Sequence, residues 1–193
     1  MRKTYIVYLA AGNSRRFKNQ KLLYPINKKT MYQHTLDTLI KLVNHRQDCS
    51  LIVVTQYQEI KKQYPDLNVI LSPKSQYGIS YSIQAGLNSI QEKNSYQIMF
   101  VVADQPYLKF ETLNQFLDTF QHNDFTLASL KYQTQVGNPT IFYSEYKEGL
   151  LALEGDNGGR KIIKRHPSEC FYFDVSDPKE LWDIDTIEDL IIK

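Results

Sequence analysis

The feature that most constrains the fold is a repeated alternation of short apolar runs with amphipathic stretches. Tyr5–Ala11, Leu51–Thr55 and Ile98–Ala103 are continuous apolar or β-branched runs, typical of strands buried on both faces. Between the first two, apolar side chains from Met31 to Asn44 recur at the spacing of one helix face. This order predicts an α/β fold with a mostly parallel central sheet and helices on both faces.

Length and composition set the class of protein. The chain has 193 residues, of which 42% are hydrophobic and 23% charged, so we expect a single domain over residues 1–193. No run approaches the roughly 20 apolar residues of a membrane-spanning helix, so we expect no membrane association. The net charge of +2 does not indicate a nucleic-acid partner. Cys49 and Cys170 have no metal-binding or redox spacing, which favours reduced thiols in the cytoplasm.

The charges are segregated along the chain. Residues 1–36 contain eight Lys or Arg and no Asp or Glu, whereas residues 174–193 contain seven acidic residues and two lysines. The two ends can meet in one site, as a phosphate cradle and a set of metal ligands. They can equally be two solvated patches that never meet, and charge alone leaves both readings open.

The loop after the first predicted strand, LAAGNSRRF, is a candidate phosphate site. It lacks the glycine pattern of dinucleotide folds and of P-loops. Its small residues still allow a ligand close to the backbone, and successive amides there can form an anion-binding nest. Nearby positive charge comes from Arg15, Arg16, Lys18 and Lys21. We expect Lys21 to be exposed. The alternative is a tight turn with solvated bases.

Carboxylates follow the most apolar strand and recur near the end of the chain. Asp104 ends that strand, where a carboxylate suits Mg²⁺, a cation that takes one or two acids plus substrate phosphates. Asp183 and Asp185 alternate in an extended segment and should point to opposite sides, so at most one should share a metal with Asp104. The residues after them predict a final helix over Thr186–Ile192, opened by a capping box.

Two glycine-containing segments allow more than one role. Gly78-Ile79-Ser80-Tyr81-Ser82 nearly spells a serine-hydrolase elbow, but Ser82 replaces its second glycine, so a helix start capped by Ser80 is the simpler reading. This helix start can also face an anion or a base. The segment GDNGGR is either a plain turn or an arginine-bearing loop that closes on an anionic substrate.

Six segments, in order, resemble the MobA-like nucleotidyltransferases: LAAGNSRRFKNQKLL, GISYSIQAGL, VVADQP, GNPTIF, GDNGGRKII and DIDTIEDL. Within that family they are most similar to the molybdenum cofactor cytidylyltransferases. The resemblance runs from Ile6 to Leu190 and implies a three-layer, Rossmann-like nucleotidyltransferase fold. It implies transfer of CMP from CTP to the phosphate of molybdopterin, with release of pyrophosphate and with Mg²⁺ as cofactor. A molybdoenzyme or its insertion chaperone would be the further partner.

The resemblance also assigns site residues. Arg16, Lys21 and Asp104 are the implied catalytic residues, and Asp104 and Asp185 the implied metal ligands. The acceptor falls on Asn138, Asp156 and Arg160. The implied nucleotide site comprises Leu9, Ala10, Ala11, Gly12, Ser14, Arg16, Lys21, Pro73, Gly78, Ser80, Ser82 and Asp104.

Donor and acceptor are assigned less directly. Ala11 matches the LAAG of the cytidylyltransferases, whereas the guanylyltransferase relatives more often read LAGG. Asn138 and Gln84 stand where the family often has His and Arg, which concerns the acceptor more than the chemistry. The alternatives are a guanylyltransferase, a sugar- or alcohol-phosphate nucleotidyltransferase, or a nucleotide- or cofactor-binding chaperone without turnover.

Overall fold

The architecture is that of a computed structural model, which describes residues 2–12, 17 and 20–190. A seven-stranded sheet forms its centre, with strand order β5-β4-β1-β6-β8-β7-β9. Its strands are β1 (Thr4–Ala10), β4 (Cys49–Thr55), β5 (Val69–Leu71), β6 (Gln97–Val102), β7 (Leu127–Tyr132), β8 (Gln135–Tyr143) and β9 (Cys170–Asp174). A separate two-stranded sheet pairs β2 (Pro25–Ile26) with β3 (Lys29–Thr30).

The expected mostly parallel α/β sheet is confirmed. β1 lies parallel to both β4 and β6, and β4 lies parallel to β5. β8 runs antiparallel to both of its neighbours. Its pairing with β7 is antiparallel because only Gln133 and Thr134 separate the two strands, and a connection that short joins antiparallel strands. The sequence pattern predicts only the second half of this strand, Thr140–Tyr143.

Helices cover both faces of the sheet, as predicted. They are α1 (Met31–His45), α2 (Gln58–Gln63), α3 (Ile79–Asn88), α4 (Phe110–Gln121), α5 (Lys147–Leu151) and α6 (Arg160–Ile163). Alternate residues of each central strand enter one of two apolar clusters. Tyr8 and Met99 pack with α1 and α4, whereas Val7 and Phe100 pack with α3, α5 and α6. This explains why β1 and β6 are apolar at every position after their first residues, Thr4 and Gln97.

The end of the chain differs from the prediction. Thr186 and Asp189 form the expected reciprocal hydrogen bonds, but the element that follows is a 3-10 turn over Glu188–Leu190. The predicted helix Thr186–Ile192 is therefore wrong in its described part. Asp189 also accepts a hydrogen bond from the backbone N–H of Asp185, so the turn fixes the backbone of that residue.

Within the described ranges, no helix is both long enough and apolar enough to cross a lipid bilayer. Cys49 and Cys170 are free thiols.

Candidate active site

A cleft of about 560 Å³ opens at the carboxyl ends of β1 and β6, where ligands bind in open α/β sheets. Small residues after β1 and the start of α3 form its walls. We call it the first cavity. It is lined by many of the predicted residues: Leu9, Ala11, Gly12, Lys21, Gly78, Ser82, Asp104, Asp156 and Asp185. Residues remote in sequence, including members of the basic and acidic ends of the chain, thus meet at one edge of the sheet.

Lys21 is the point where those ends meet. Its Nζ lies 2.9 Å from Oδ2 of Asp104 and 2.9 Å from Oδ1 of Asp185. The expectation of an exposed Lys21 is wrong, because the residue is only 6% exposed. A 3-10 turn over Lys21–Leu23 carries the side chain inwards, and the two carboxylates compensate for burying its charge.

The same pairing sets the ionisation of the lysine. Burial by itself would lower the pKa of Lys21, but the charge and hydrogen bond of Asp104, followed by those of Asp185, raise it overall. Lys21 therefore stays cationic throughout the physiological range. It neutralises part of the negative charge of the carboxylate pair.

Backbone and side-chain contacts fix the C-terminal segment against the loop after β6. The N–H of Ile184 donates a 2.9 Å hydrogen bond to the carbonyl of Asp104, which places Asp185 beside it. Glu180 is fully buried and accepts a hydrogen bond from the N–H of Lys109, immediately before α4. Lys109 Nζ also pairs with Asp177 at 2.8 Å. The segment that carries Asp185 is thus held at two points.

Asp183 does not line the first cavity. It lies on a neighbouring hollow, which Gln135 and Trp182 also line and which shares Asp185 with the first cavity. The residue as a whole is exposed, but protein atoms surround its carboxyl group. This partial burial, together with the negative charge of Asp104, raises the pKa of Asp183 to about 6. The prediction that only one of the two late aspartates faces the cavity agrees with this placement.

The donor set fits a divalent cation of the Mg²⁺ type. Asp104 and Asp185 present carboxylate oxygens that each reach the same Lys21 Nζ, so they lie within twice 2.9 Å of one another. Among residues 2–12, 17 and 20–190, no cluster of three or more metal-binding side chains occurs. Two carboxylates with substrate phosphates are a sufficient set for Mg²⁺. The ligand roles of Asp104 and Asp185 remain predictions.

Several of the predicted nucleotide-binding residues are not found in the first cavity. Two of them, Ser14 and Arg16, fall outside the described residues, and the others have different surroundings. Ala10 is fully buried in β1 on the side of α1 and α4. Pro73 is exposed at the start of a 3-10 turn, Pro73–Tyr77, and does not line the first cavity.

Ser80 is likewise misplaced by sequence analysis. It is 0% exposed and does not line the first cavity. It does not cap the helix either, because α3 begins at Ile79 and its N-cap is Gly78. The Ser80 backbone N–H instead donates to the carbonyl of Gly155 at 3.1 Å.

Sequence reasoning missed Ser75 and several apolar lining residues. Ser75 lines the first cavity, and its Oγ accepts a 2.7 Å hydrogen bond from Ser82 Oγ. The only available signal was its place in the polar segment that follows β5, because ligands of α/β sheets bind where strands end. Leu22, Ile79, Val102 and Ala103 also line this cavity.

Gly78 brings two ligand-facing segments into backbone contact. Its φ of +144° is one that side-chain-bearing residues rarely adopt, and a Cβ there would lie 2.2 Å from backbone atoms of Gly155. The start of α3 therefore packs directly on the GDNGGR segment. This contact explains why Asp156 reaches the first cavity.

A second cavity of about 500 Å³ adjoins the first and shares Leu9, Ile79, Val102 and Asp156 with it. All three predicted acceptor residues, Asn138, Asp156 and Arg160, line it, together with Lys161 and Lys164. The structure thus brings the GNPTIF and GDNGGRKII segments together. Their binding of an acceptor stays a prediction.

The sequence matches a known protein family. Residues 6–170 match the model of the MobA-like NTP transferase domain. The chain belongs to this family. Residues 6–170 therefore form a domain of the nucleotidyltransferase type, with the Rossmann-like fold that the motifs implied.

Curated relatives differ in how much of their length the chain spans. It is 30% identical over 168 residues to the bifunctional protein GlmU of Geobacillus sp., covering 85% of this chain but 34% of that protein. The chain thus spans about a third of the GlmU proteins it matches. It is 25% identical over 199 residues to the purine catabolism protein PucB of Bacillus subtilis, covering 98% of this chain and 96% of PucB.

A solved structure shares the whole fold. Rv0371c from Mycobacterium tuberculosis superposes with a TM-score of 0.78 at 23% identity, covering 97% of this chain and 95% of that one. The same mycobacterial protein is also solved in complex with manganese, with a TM-score of 0.74. At this identity, the likeness establishes the fold.

Proposed function

We propose that this protein transfers CMP from CTP to the phosphate of a molybdopterin-type acceptor and releases pyrophosphate. The observation that carries the proposal is Lys21 held between Asp104 and Asp185 at the carboxyl edge of the sheet, beside a second cavity rimmed by basic residues. The first cavity suits a triphosphate and a cation, and the second suits an anionic acceptor.

The reaction is an in-line displacement at the α-phosphorus. An oxygen of the acceptor phosphate forms the new bond, the bond from the α-phosphorus to the β-bridging oxygen breaks, and that oxygen leaves with pyrophosphate. A phosphate monoester is already an anionic nucleophile, so no strong base is needed, and positioning and charge neutralisation dominate catalysis. A divalent cation, when bound, supplies charge neutralisation at the α-phosphate.

Four side chains of the protein are proposed to bind the cation and the phosphates. Asp104 and Asp185 would hold the cation, each fixed by the hydrogen bond between Ile184 and Asp104. Lys21, cationic by its raised pKa, would move from the carboxylates to the phosphates once the cation takes its place. Arg16 is proposed to assist at the leaving pyrophosphate.

The choice of donor and acceptor rests on fewer residues than the transfer reaction does. Ala11 is 4% exposed and lines the first cavity, so its methyl group narrows the site relative to the glycine of the guanylyltransferases. This supports CTP as donor. The acceptor assignment rests on the motif resemblance of the segments that carry Asn138 and Arg160, both in the second cavity. A molybdoenzyme or its insertion chaperone is the proposed recipient, and two free thiols agree with a cytoplasmic location.

A donor-by-acceptor matrix tests the proposal. Pyrophosphate release is measured with CTP or GTP, with molybdopterin, a sugar phosphate or no acceptor, and with Mg²⁺ or Mn²⁺. Mn²⁺ is included because a structural neighbour is solved with manganese. The proposal predicts release that needs both CTP and molybdopterin. Preference for GTP or for a sugar phosphate would identify another transferase of the family, and binding without release would identify a chaperone.

A further inference from the structure

The second cavity has an apolar floor on one face of the sheet. Phe100 of β6 and Ile83 of α3 line it below the shared wall of Leu9 and Val102. Phe100 and Ile83 are nearly fully buried and belong to the apolar cluster on this side of the sheet. Such a floor favours a ligand body with an apolar face.

One polar group lies in this floor without a protein partner. Thr140 of β8 pairs in register with Phe100, so the two side chains project from the same face of the sheet. Thr140 is 1% exposed, lines the second cavity, and its Oγ1 has no hydrogen-bond partner in the described part of the chain. A buried hydroxyl without a partner is costly, and a ligand that pairs with it would remove that cost.

The rim of the second cavity is positively charged. Arg160, Lys161 and Lys164 lie within one turn of each other on and just after α6, and all three are exposed. Over the described ranges, none of them forms a salt bridge, whereas Lys109 and Lys29 each pair with a carboxylate. Asp156 adds one carboxylate to the same lining, so three cations face one acid and the opening attracts an anion.

The geometry points to the second cavity as the binding site for a second anionic group of the acceptor, separate from the phosphate that reacts. This inference rests on the proposed function, in which the reacting phosphate must reach the α-phosphate of CTP in the first cavity, which Asp104 lines. Arg160, Lys161 and Lys164 line the second cavity alone, on the other side of the shared wall. The acceptor is therefore expected to combine three features besides its reacting phosphate: an apolar face, a group that hydrogen bonds to Thr140, and a second anionic group near Arg160, Lys161 and Lys164.

The test is a titration of the ¹⁵N-labelled, nucleotide-free protein with phenyl phosphate, followed by NMR, with phenol as the uncharged probe. We expect saturable shifts at the amides of Thr140 and of residues 158–164 with phenyl phosphate, and much weaker ones with phenol. Lys161→Gln/Lys164→Gln should weaken binding at least fivefold. The matched double variant Lys61→Gln/Lys62→Gln, on exposed positions of α2, should bind normally. Binding should also weaken as salt is raised.

A second measurement concerns the buried hydroxyl. Thr140→Val, without ligand, should unfold at the same temperature as the parent or up to about 2–4 °C higher, because an unpaired polar group is removed. The inference is overturned if phenyl phosphate shifts only residues of the first cavity, if the Lys161/Lys164 variant binds as tightly as its control, or if Thr140→Val lowers the unfolding temperature. Absence of nucleotidyl transfer would contradict the proposed function alone, since the titration contains no nucleotide.

Discussion

Lys21 donates a 2.9 Å hydrogen bond to Asp104, although the two residues are 83 positions apart. A second carboxylate, that of Asp185, accepts from the same ammonium. The basic start and the acidic end of the chain therefore meet in one site, and the alternative of two unrelated solvated patches is wrong for these residues.

Lys21→Ala should lower turnover by a factor on the order of 100, because one electrostatic contact to the transition state is lost. It should also cost about 2 kcal/mol of unfolding free energy, since two facing carboxylates lose a shared, buried partner. Steady-state kinetics and urea unfolding measure the two effects. Lys28→Ala, at an exposed position, is the control and should change neither. Normal turnover in a folded Lys21→Ala protein would remove Lys21 from the mechanism.

The metal site predicts a graded response to three isosteric changes. Asp104→Asn should abolish most turnover, and Asp185→Asn should raise the Mg²⁺ concentration needed for half-maximal rate. Asp183→Asn should do less, because Asp183 lies on the neighbouring hollow. Mg²⁺ titration of each variant, with thermal unfolding as a check of folding, measures this. A damaging Asp183→Asn with a silent Asp185→Asn would reverse the assignment.

Gly78→Ala should lower the unfolding free energy by more than about 1 kcal/mol and reduce turnover. The new Cβ would overlap the backbone of Gly155, and the φ of +144° disfavours a side chain. Gly149→Ala is the matched control, because its Cβ would meet only Ile162 at 3.6 Å and its helical position favours alanine. Chemical unfolding should show the control to be as stable as the parent or slightly more so. Equal stability of both variants would refute the packing of α3 on this segment.

A buried polar network at the opposite edge of the sheet predicts a pH dependence of stability. Burial raises the pKa of Asp48, but hydrogen bonds from Gln121 and Arg46 outweigh this and lower it overall. Because the pKa of Asp48 is lower in the folded protein than its unfolded value of about 3.8, its ionised carboxylate stabilises the fold above that pH. This contribution is lost as the pH falls through the lower pKa of the folded state. Asp48→Asn should therefore cost about 1–3 kcal/mol at pH 7.

Urea unfolding of the parent and of Asp48→Asn at several pH values checks this sign. The difference between them should shrink steadily below pH 4. A difference that stays constant down to pH 2.5 would show that the charge of Asp48 contributes nothing.

The sheet could be predicted because its signal is local. β1, β4 and β6 are buried on both faces, so each appears in the sequence as a run of mostly apolar or β-branched residues. β8 was predicted only in part, because its first half, Gln135–Asn138, has a single apolar side chain, that of Val136, and borders a cavity. These residues form a strand because of their position beside a neighbouring strand of the sheet, and their amino-acid composition does not predict it.

The site was predicted less completely because its decisive contacts are not local. Nothing in the sequence around Lys21 indicates burial, since its partners lie 83 and 164 residues away. For the serines of the α3 segment, motif resemblance could not separate Ser82, which faces the first cavity, from Ser80, which is enclosed in the core. The direction of each side chain is set by where the helix begins.

The most direct measurement of the central claim follows labelled phosphorus from donor to acceptor. The protein is incubated with Mg²⁺, molybdopterin and CTP labelled with ³²P at either the α or the γ position, and the products are separated. The account predicts that α-label appears in the acceptor, whereas γ-label appears only in pyrophosphate. Transfer of γ-label to the acceptor, or no acceptor labelling from either CTP, would contradict it.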